Sequence, residues 1–308
     1  HRMRRRDKRY PLHQCALYRC MSRKRLFTLL QTTESKYDEL RIGQNLYRVA
    51  QKPKKNGGVR TIQAPRGDLK RIQRRVSELL MRVEPPDFLM SPVRGRSNID
   101  NAAKHCHARS HRLLDVADFY PSCSANKIAE FLSKVLGCPP DVVAILVWLT
   151  TKDGALPQGS PASPILAYWA YRDMWDEIDA VAREGGYDVS VYVDDITVSG
   201  PMVREATVHE IKKIIQKHGH RTKDNKEEAR LMTPVTVTGV VVRAGKLLLP
   251  NAQHHVRHRI RKELEKMADG PERVQLEAVL AGHDETERQI VRRNPVAGSA
   301  TLGARAEG

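Results

Sequence analysis

Residues 189–199 read VSVYVDDITVS, a stretch in which two acidic residues interrupt a series of β-branched residues. Its valines alternate with polar residues as far as Val193, a pattern typical of a half-buried β-strand. The segment Ile196 to Ser199 has the same character and predicts a second strand. The chain therefore turns back at Asp194 and Asp195, and the stretch predicts a β-hairpin with two carboxylates at its tip.

The segments around this hairpin extend it into a sheet. Residues 113–117 predict another strand, and Ser124 and Gly137 are placed to begin and end the helix that follows. A strand, several helices, the hairpin and a further helix indicate an α+β fold, with an antiparallel sheet and helices on one face in a split βαβ arrangement. Strands are predicted at 59–64, 235–242 and 246–249, and helices at 69–83, about 128–136, 142–150, about 162–184, 202–218 and 256–267.

A third acidic residue, Asp115, lies inside an apolar strand in RLLDVADFYPS (112–122). A buried carboxylate is costly unless it is paired or binds a metal. At an effective dielectric constant of about 20, two like charges about 4 Å apart repel by about 4 kcal/mol. If the fold brings Asp115, Asp194 and Asp195 together, divalent cations are needed there, and oxygen ligands favour Mg²⁺. Taken singly, each aspartate is equally well explained as an ordinary strand or turn residue.

The charge of the chain is concentrated. It carries 53 Lys and Arg against 36 Asp and Glu, for a net charge of +17. Residues 1–25 hold ten basic residues against one acid and residues 51–75 hold nine against one, which accounts for the whole excess. Concentrated positive charge indicates a polyanionic partner, most often nucleic acid. A merely solubilising basic surface is the alternative.

Several classes of protein are disfavoured. The longest apolar run, Val142 to Leu149, is far shorter than the ~20 residues of a membrane span. We see no secretory signal. Five cysteines without a CxxC pair argue against a disulfide scaffold and for a reducing compartment. The group at His105, Cys106, His107 and His111 lacks a second ligand pair at zinc-finger spacing, so we do not expect zinc.

Six segments in order resemble the conserved boxes of reverse transcriptases, and in particular those of bacterial retrons. KKNGGVRTIQAP (54–65) resembles the fingers motif, and LLDVADFYPS (113–122) the first aspartate box. LPQGSPASPILA (156–167) resembles the middle box and YVDD (192–195) the catalytic box. GRSNIDNAAKH (95–105) is similar to the NAxxH segment and VTGVVV (237–242) to the VTG segment of retron enzymes. The chain departs from the retron pattern at Val193, where alanine is usual, and in DFY, where DFF is common.

The resemblance implies a right-hand polymerase with fingers, palm and a small helical thumb. On this basis we expect an N-terminal basic arm and helices over 1–50, fingers over 51–111 and palm over 112–250, with a fingers portion at about 124–160. A thumb over 251–295 and a flexible tail over 296–308 would follow. Because few residues follow Gly239, we expect no RNase H, maturase or endonuclease domain.

The resemblance also implies a catalytic site. Asp115, Asp194 and Asp195 would be the catalytic, metal-binding carboxylates, with the Val116 carbonyl as a further ligand of two Mg²⁺ ions, for which Mn²⁺ could substitute. Tyr120 would be the steric gate that rejects the 2′-hydroxyl. The other residues expected to bind the dNTP are Lys54, Lys55, Arg60, Asp118, Phe119, Gln158 and Lys226; Asp118 and Phe119 would act through their amides.

Residues expected to contact nucleic acid come from three sources. The predicted helix 69–83 has a cationic face, and the predicted thumb helix is also basic. The NAxxH, YVDD and VTG segments add residues by resemblance, the last as a primer grip. The full set is Lys70, Arg71, Arg74, Arg75, Asn101, His105, Tyr192, Thr238, Gly239, Val240, Arg257 and Arg261.

Taken together, the resemblance implies a cytoplasmic RNA-directed DNA polymerase of retron type with no membrane partner. Such an enzyme copies a cognate structured noncoding RNA (msr-msd type) into branched, RNA-linked single-stranded DNA (msDNA). Its partners would be this RNA and its DNA product, dNTPs, and an effector or toxin protein in anti-phage defence. The alternatives are another bacterial reverse transcriptase, of diversity-generating or abortive-infection type, or a scaffold that holds an RNA–DNA hybrid and an effector.

Overall fold

The computed structural model of the protein describes residues 9–53, 57–223 and 227–294. The N-terminal part contains a 3-10 turn, Leu12–Gln14, and two short helices, α1 (Arg23–Leu30) and α2 (Glu34–Ile42). Ser22 and Thr33 cap these helices, since each side chain accepts a hydrogen bond from the amide three residues later.

A hairpin and a long amphipathic helix follow. Strands β1 (Tyr47–Pro53) and β2 (Val59–Pro65) pair antiparallel, and α3 (Gly67–Leu80) comes next. The apolar residues of α3 are buried, whereas Lys70, Arg71 and Arg74 are exposed. The predicted strand at 59–64 is confirmed, and β1 is an addition that the sequence pattern did not predict.

The central sheet has five strands: β3 (Leu89–Ser91), β4 (Ser110–Asp115), β5 (Asp188–Tyr192), β6 (Asp195–Gly200) and β7 (Glu228–Leu231). Their order is β3-β5-β6-β4-β7, and β3 pairs parallel to β5 while the other neighbours are antiparallel. Strands β4 to β7 have the order and connections of the split βαβ arrangement. The predicted α+β class and palm-type sheet are therefore confirmed.

The helices between these strands pack against the sheet, and all but the first, whose Ile99 and Ala102 belong to a second core, form the main core with one face of it. They are α4 (Asn98–Lys104), α5 (Phe119–Ser122), α6 (Ala125–Glu130), α7 (Pro140–Thr150), α8 (Ser163–Ala170), α9 (Arg172–Glu184) and α10 (Glu205–Lys217), with a π-helical turn at Phe131–Val135. Trp175 of α9 and Ile211 of α10 belong to the same buried cluster as Val191 and Ile196 of the hairpin. The predicted helix 162–184 is in fact two helices, α8 and α9.

Strand alternation separates this core from a polar face. Because successive side chains of a strand point to opposite faces, Val189, Val191, Ile196 and Val198 enter the core while Ser190, Asp195, Thr197 and Ser199 face the other way. The acidic residues of the sheet thus lie on the face that α9 and α10 do not cover.

A second, smaller core lies beneath a three-stranded sheet of β8 (Val235–Val237), β9 (Val240–Arg243) and β10 (Lys246–Leu248). The predicted strand at 235–242 is therefore two strands. Thr238 and Gly239 join them, both with φ above zero, as a two-residue hairpin turn with φ > 0 at both positions requires. Helices α11 (Asn251–Leu264) and α12 (Pro271–Arg293) complete the described chain, and Ile290 of α12 joins this core.

All five cysteines are free and buried. Among the helices of the described ranges, none combines the length and apolar character that crossing a membrane requires.

Gln73 joins three segments at the buried face of α3. It is fully buried, and its Nε2 donates to the Tyr47 hydroxyl (2.9 Å) and to the Leu149 carbonyl (2.8 Å). Its Oε1 accepts a hydrogen bond from the Ser160 hydroxyl (2.6 Å). One side chain therefore ties the β1–β2 hairpin to α7 and to the loop that precedes α8.

We predict that Gln73→Leu lowers the free energy of unfolding by about 1–3 kcal/mol, because it leaves a buried hydroxyl and a buried carbonyl without their partner. The exposed neighbour supplies the control: Arg74→Ala should change stability by less than about 0.5 kcal/mol. Urea denaturation of both variants tests this. Equal effects of the two substitutions would contradict the role given to Gln73.

Candidate active site

Pairing between β4 and β6 brings the three predicted carboxylates to one place. Asp115, the last residue of β4, lies directly opposite Asp195, the first residue of β6. One residue further on, the Val116 amide donates to the Asp194 carbonyl over 3.0 Å. Directly opposed residues on one face have Cβ atoms about 4.5–5.5 Å apart. The strand acid and the hairpin acids therefore occupy neighbouring backbone positions, and their shared binding of metal ions stays a prediction.

The hairpin turn carries backbone strain. Val193 adopts a φ of +62°, in the left-handed region that β-branched residues avoid. The sequence pattern assigned Val193 to a strand, which is wrong: Val193 and Asp194 form the turn, and Asp195 opens β6. Neighbouring backbone holds the turn, since the Val193 amide donates to the Ser91 carbonyl (3.3 Å). Strain of this kind, of order 1–3 kcal/mol, persists only where the surrounding structure fixes it.

Lys223 contacts the first aspartate, which sequence reasoning missed. Its ammonium forms an ion pair with Oδ1 of Asp115, and its amide donates to the Asp115 carbonyl over 2.9 Å. Thr222 forms a bridge with Val116, so this segment runs alongside the end of β4. The buried Asp115 carboxylate is thus paired with a cation of the chain itself.

The donor set fits a hard divalent cation. Two acidic residues oppose each other across neighbouring strands, a third lies in the turn directly before one of them, and none of the side chains involved is a sulfur or imidazole ligand. As the side chains lie, the described ranges contain no group of three or more His, Cys, Asp or Glu that could hold a metal ion. The chemistry of the donor atoms suits Mg²⁺, and the Lys223 ammonium is bonded to one oxygen of this set.

A cavity of about 390 Å³ lies between the β1–β2 hairpin and the turn after β4. Three of the residues predicted to bind a dNTP, Arg60, Asp118 and Gln158, line it together. The Gln63 amide donates to the Gln158 carbonyl (2.7 Å) and fixes the middle box against β2. The cavity is also lined by residues that were not predicted to belong to the site: Gln63, Lys152 and Asp153, with Val59, Thr61, Pro121, Ala155 and Leu156.

The turn after Asp115 carries the predicted sugar gate. Asp118 has a φ of +43° and begins α5, Phe119 is buried, and Tyr120 is half-buried. Burial raises the pKa of the Tyr120 hydroxyl, and the negative charge of Asp194 raises it further. The phenol therefore stays protonated beside the hairpin acids.

A second cavity of about 370 Å³ is lined by the acid pair itself. It extends from Asp115 and Asp195 to Thr238 and Gly239, the predicted primer grip. Glu228, which is opposite Leu113 in the β4–β7 pairing, also lines it and was not predicted. Val240 of the same segment lies in the small core and does not line the cavity. Tyr192 is half-buried at the end of β5.

The NAxxH residues require a correction. His105 is fully buried, and its ring nitrogens hydrogen-bond the hydroxyls of Ser199 and Ser190, each over 2.7 Å. Asn101 is also buried, and its Nδ2 donates to the Thr238 hydroxyl over 3.2 Å. In this position neither side chain can reach nucleic acid. Both join α4 to other parts of the fold, and their polar groups serve packing contacts that the sequence could not reveal.

The basic residues predicted to contact nucleic acid also divide into exposed side chains and side chains that pack within the fold. Lys70, Arg71 and Arg74 are exposed on α3, whereas Arg75 donates to the Leu29 carbonyl (2.9 Å) and packs against α1. Arg257 also requires correction, because it is buried in the predicted thumb.

Arg257 is paired with Asp284 and Glu287 of α12, each over 2.6 Å. Arg261 remains half-exposed beside Asp284. The expectations for Lys54, Lys55 and Lys226, for residues 1–8 of the basic arm and for the tail lie outside the described residues.

Comparison with known proteins decides the family. The reverse transcriptase (RNA-dependent DNA polymerase) family matches residues 52–242, more than half of the chain. The chain belongs to the reverse transcriptase family. This match covers the acid pair, both cavities and the Thr238–Gly239 turn, so the predicted family is confirmed.

Curated relatives are retron reverse transcriptases, as predicted. The Mx65 enzyme of Myxococcus xanthus is 29% identical over 276 residues, which cover 79% of this chain and 63% of that protein. The Se72 enzyme of Salmonella heidelberg is 28% identical over 180 residues (58% and 45%), and the Ec86 enzyme of Escherichia coli is 28% identical over 196 residues (63% and 58%). The chain thus spans roughly half of the length of these relatives.

Two solved structures resemble this chain with lower sequence identity than the retron enzymes do. A foamy viral protease–reverse transcriptase in complex with double-stranded DNA has a TM-score of 0.45 and 17% identity, covering 82% of this chain and 38% of that one. Apo telomerase from Candida tropicalis has a TM-score of 0.46 and 14% identity, covering 66% and 55%.

The buried His105 predicts a pH dependence of stability. Burial, with the nearby charges of Lys104 and His111, lowers its pKa to about 3 from 6.5. Between these values the unfolded chain binds a proton that the folded chain excludes. The free energy of unfolding should therefore fall with decreasing pH, by up to ~1.4 kcal/mol per pH unit for one such group.

Denaturation of His105→Gln between pH 7 and 5 tests this, and the slope should be smaller than in the wild type. His220, whose pKa burial lowers to about 4, supplies part of the slope that remains. Identical slopes in the two proteins would show that His105 is not held neutral by the fold.

Proposed function

We propose that the chain is an RNA-directed DNA polymerase of retron type. The observation that carries this proposal is the Asp115–Asp195 cross-strand pair, with Asp194 adjoining it, which lines one cavity, while the turn that follows Asp115 lines another through Asp118. One cavity is lined by Arg60 and Gln158 and suits a nucleoside triphosphate. The other leads to the Thr238–Gly239 turn and suits the end of a growing strand. The family match and the retron relatives support the same reaction.

Asp115, Asp194 and Asp195, with the Val116 carbonyl, would hold two Mg²⁺ ions, or Mn²⁺ in their place. When bound, the ions would lower the pKa of the attacking hydroxyl and stabilise the charge on the triphosphate. The chain supplies the position of the carboxylates, because strand pairing fixes their backbone. The apolar core beneath β4 and β6 also lowers the local dielectric constant, and this strengthens the electrostatic interactions.

The nucleotide would lie in the 390 Å³ cavity. The Arg60 guanidinium is suited to bind the β- and γ-phosphates from the β1–β2 hairpin, with Lys54 or Lys55. The amides of Asp118 and Phe119 would bind the triphosphate, and Gln158 the sugar or the templating pair. Lys152 lines the same cavity and adds a second cation to it. Lys226 would donate a proton to the pyrophosphate.

The template–primer duplex would lie across the polar face of the sheet. The exposed cations of α3 (Lys70, Arg71, Arg74) and Arg261 of α11 would bind phosphates, and the Thr238–Gly239 turn would hold the primer. Phosphate contacts make affinity strongly dependent on salt. In this proposal Asn101 and His105 position the primer turn and the sheet, and do not touch the duplex.

The proposed substrate and partners rest on the resemblance to retron enzymes. We infer that the chain copies a cognate structured noncoding RNA into branched, RNA-linked single-stranded DNA, primed from a guanosine 2′-hydroxyl, in the cytoplasm. An effector protein restrained in anti-phage defence would complete the system. The net charge of +17 supports a nucleic-acid partner.

Asp195→Asn tests the proposed activity. Losing one carboxylate should lower dNTP incorporation on an RNA template by at least about a thousandfold, because the metal ions supply several kcal/mol of transition-state stabilisation. RNA binding, measured by filter retention, should be retained. Asp188→Asn changes an exposed acid at the other end of β5 and should leave synthesis unchanged. Undiminished synthesis by the Asp195 variant would refute the assignment.

Tyr120 tests the sugar gate. Tyr120→Ala removes the ring that would collide with a ribose 2′-hydroxyl, so the preference for dNTPs over rNTPs should fall by about tenfold or more. Tyr120→Phe keeps the ring and should keep the preference. The measurement is the ratio of kcat/KM for dGTP and GTP on one template. A preference that is unchanged in the alanine variant excludes Tyr120 as the gate.

A further inference from the structure

Lys223 forms an ion pair with Asp115, one of the proposed metal ligands. Its ammonium pairs with Oδ1 of Asp115, whose side chain is only 7% exposed. Its backbone is fixed at the same place, because the Lys223 amide donates to the Asp115 carbonyl (2.9 Å) and the Ala117 amide donates to the Arg221 carbonyl (2.7 Å). The lysine therefore lies beside Asp115 through its main chain as well as through its side chain.

The physical reason for this pair is desolvation. A carboxylate so deeply buried is costly unless a cation accompanies it, and a partly buried lysine supplies one charge. An ammonium bonded to a carboxylate oxygen occupies part of the acceptor capacity of that carboxylate, and it repels a divalent cation at contact distance. Lys223 and a metal ion thus compete for the Asp115 carboxylate. This agrees with the absence of a three-ligand group among the described side chains.

We propose that Lys223 is a built-in counter-ion that neutralises Asp115 in the metal-free protein and is displaced when the divalent cation binds. The inference rests on the proposed function, because it presumes that Asp115 is a metal ligand. It goes further in assigning a role to a residue outside the carboxylates. Displacement needs only side-chain rotation, since the backbone hydrogen bond does not involve the ammonium.

The chain provides a matched control in Lys212. Its ammonium pairs with Glu227, and its side chain is 26% exposed, against 25% for Lys223. Glu227 precedes Glu228, which lines the cavity beside the acid pair, so Lys212 lies in the same region. It does not pair with any of the three aspartates among the ion pairs described. Removing the Lys212 ammonium therefore measures the effect of losing one positive charge on cation binding, without removing a competitor for Asp115.

The first experiment measures Mn²⁺ binding to the full chain by calorimetry, without nucleotide or nucleic acid. Lys223→Met keeps the aliphatic stem and removes the ammonium, and we expect it to bind Mn²⁺ on the order of tenfold more tightly than Lys212→Met, the size usual for two ligands coupled at one site. Lys223→Arg should bind no more tightly than the wild type. Equal affinities of the two methionine variants would overturn the proposal.

Thermal unfolding gives the complementary result. Without metal, Lys223→Met should have a lower Tm than the wild type, since Asp115 loses its counter-ion, and saturating Mn²⁺ should recover the difference. A deficit that Mn²⁺ leaves unchanged would show that the ion pair is a structural contact of the metal-bound protein too, and would overturn the proposal.

A second experiment uses the unaltered protein, in case the variant does not fold. Acetic anhydride labels free amines, and mass spectrometry gives the extent of labelling of each lysine. Adding Mg²⁺ should increase labelling of Lys223 severalfold and leave Lys212 unchanged. Unchanged labelling at Lys223 with Mn²⁺ binding intact would overturn the counter-ion role alone. Failure of the wild type to bind Mn²⁺ at all, with Asp195→Asn as reference, would overturn the metal site and this inference with it.

Discussion

The antiparallel pairing of β4 with β6 is the constraint on which the site depends. It puts Asp115 opposite Asp195 and, by strand alternation, directs both away from the core. A slip of one residue would turn Ile196 to the polar face and Asp195 into the core, at a large cost in free energy. The register that buries the valines and isoleucines of the hairpin is therefore the one that opposes the acids. Forming the correct register between β4 and β6 during folding therefore also brings Asp115 and Asp195 opposite each other.

The neighbouring structure bears the cost of this arrangement. Val193 is held at a positive φ. Its amide donates to the Ser91 carbonyl of β3, which pairs parallel to β5. Asp115 is buried and needs a cation, which Lys223 supplies from the segment that runs beside the end of β4. Strain and a buried charge in one site are tolerated only because the surrounding core is extensive. The site therefore lowers the stability of the fold locally, and the packing of the sheet beneath it offsets this cost.

Periodicity predicted those parts of the fold whose burial depends on local pattern. The hairpin, the α3 and α10 stripes and the Ser124 cap are of this kind. Strands β3 and β7 were not predicted because they are short edge strands whose hydrogen bonds come from partners distant in sequence, and β1 because its side chains are mostly exposed and show no alternation of burial. The motifs located the acids and three residues of the first cavity, Arg60, Asp118 and Gln158. They could not distinguish Arg257, which is buried against Asp284 and Glu287, from an exposed cation such as Arg261.

Helix α4 shows why motif residues need not touch a ligand. Asn98 and Asn101 hydrogen-bond the Thr238 main chain and side chain, and His105 hydrogen-bonds two serines of the central sheet. Asp100 closes the capping box and pairs with Arg293 of α12. Seven helical residues and the histidine after them thus join the central sheet, the Thr238–Gly239 turn and the last helix. Since the polar side chains of this segment bond to three separate parts of the fold, the motif is explained by architecture. The Thr238–Gly239 turn, which lines the cavity of the acid pair, is therefore positioned by a helix that does not line it.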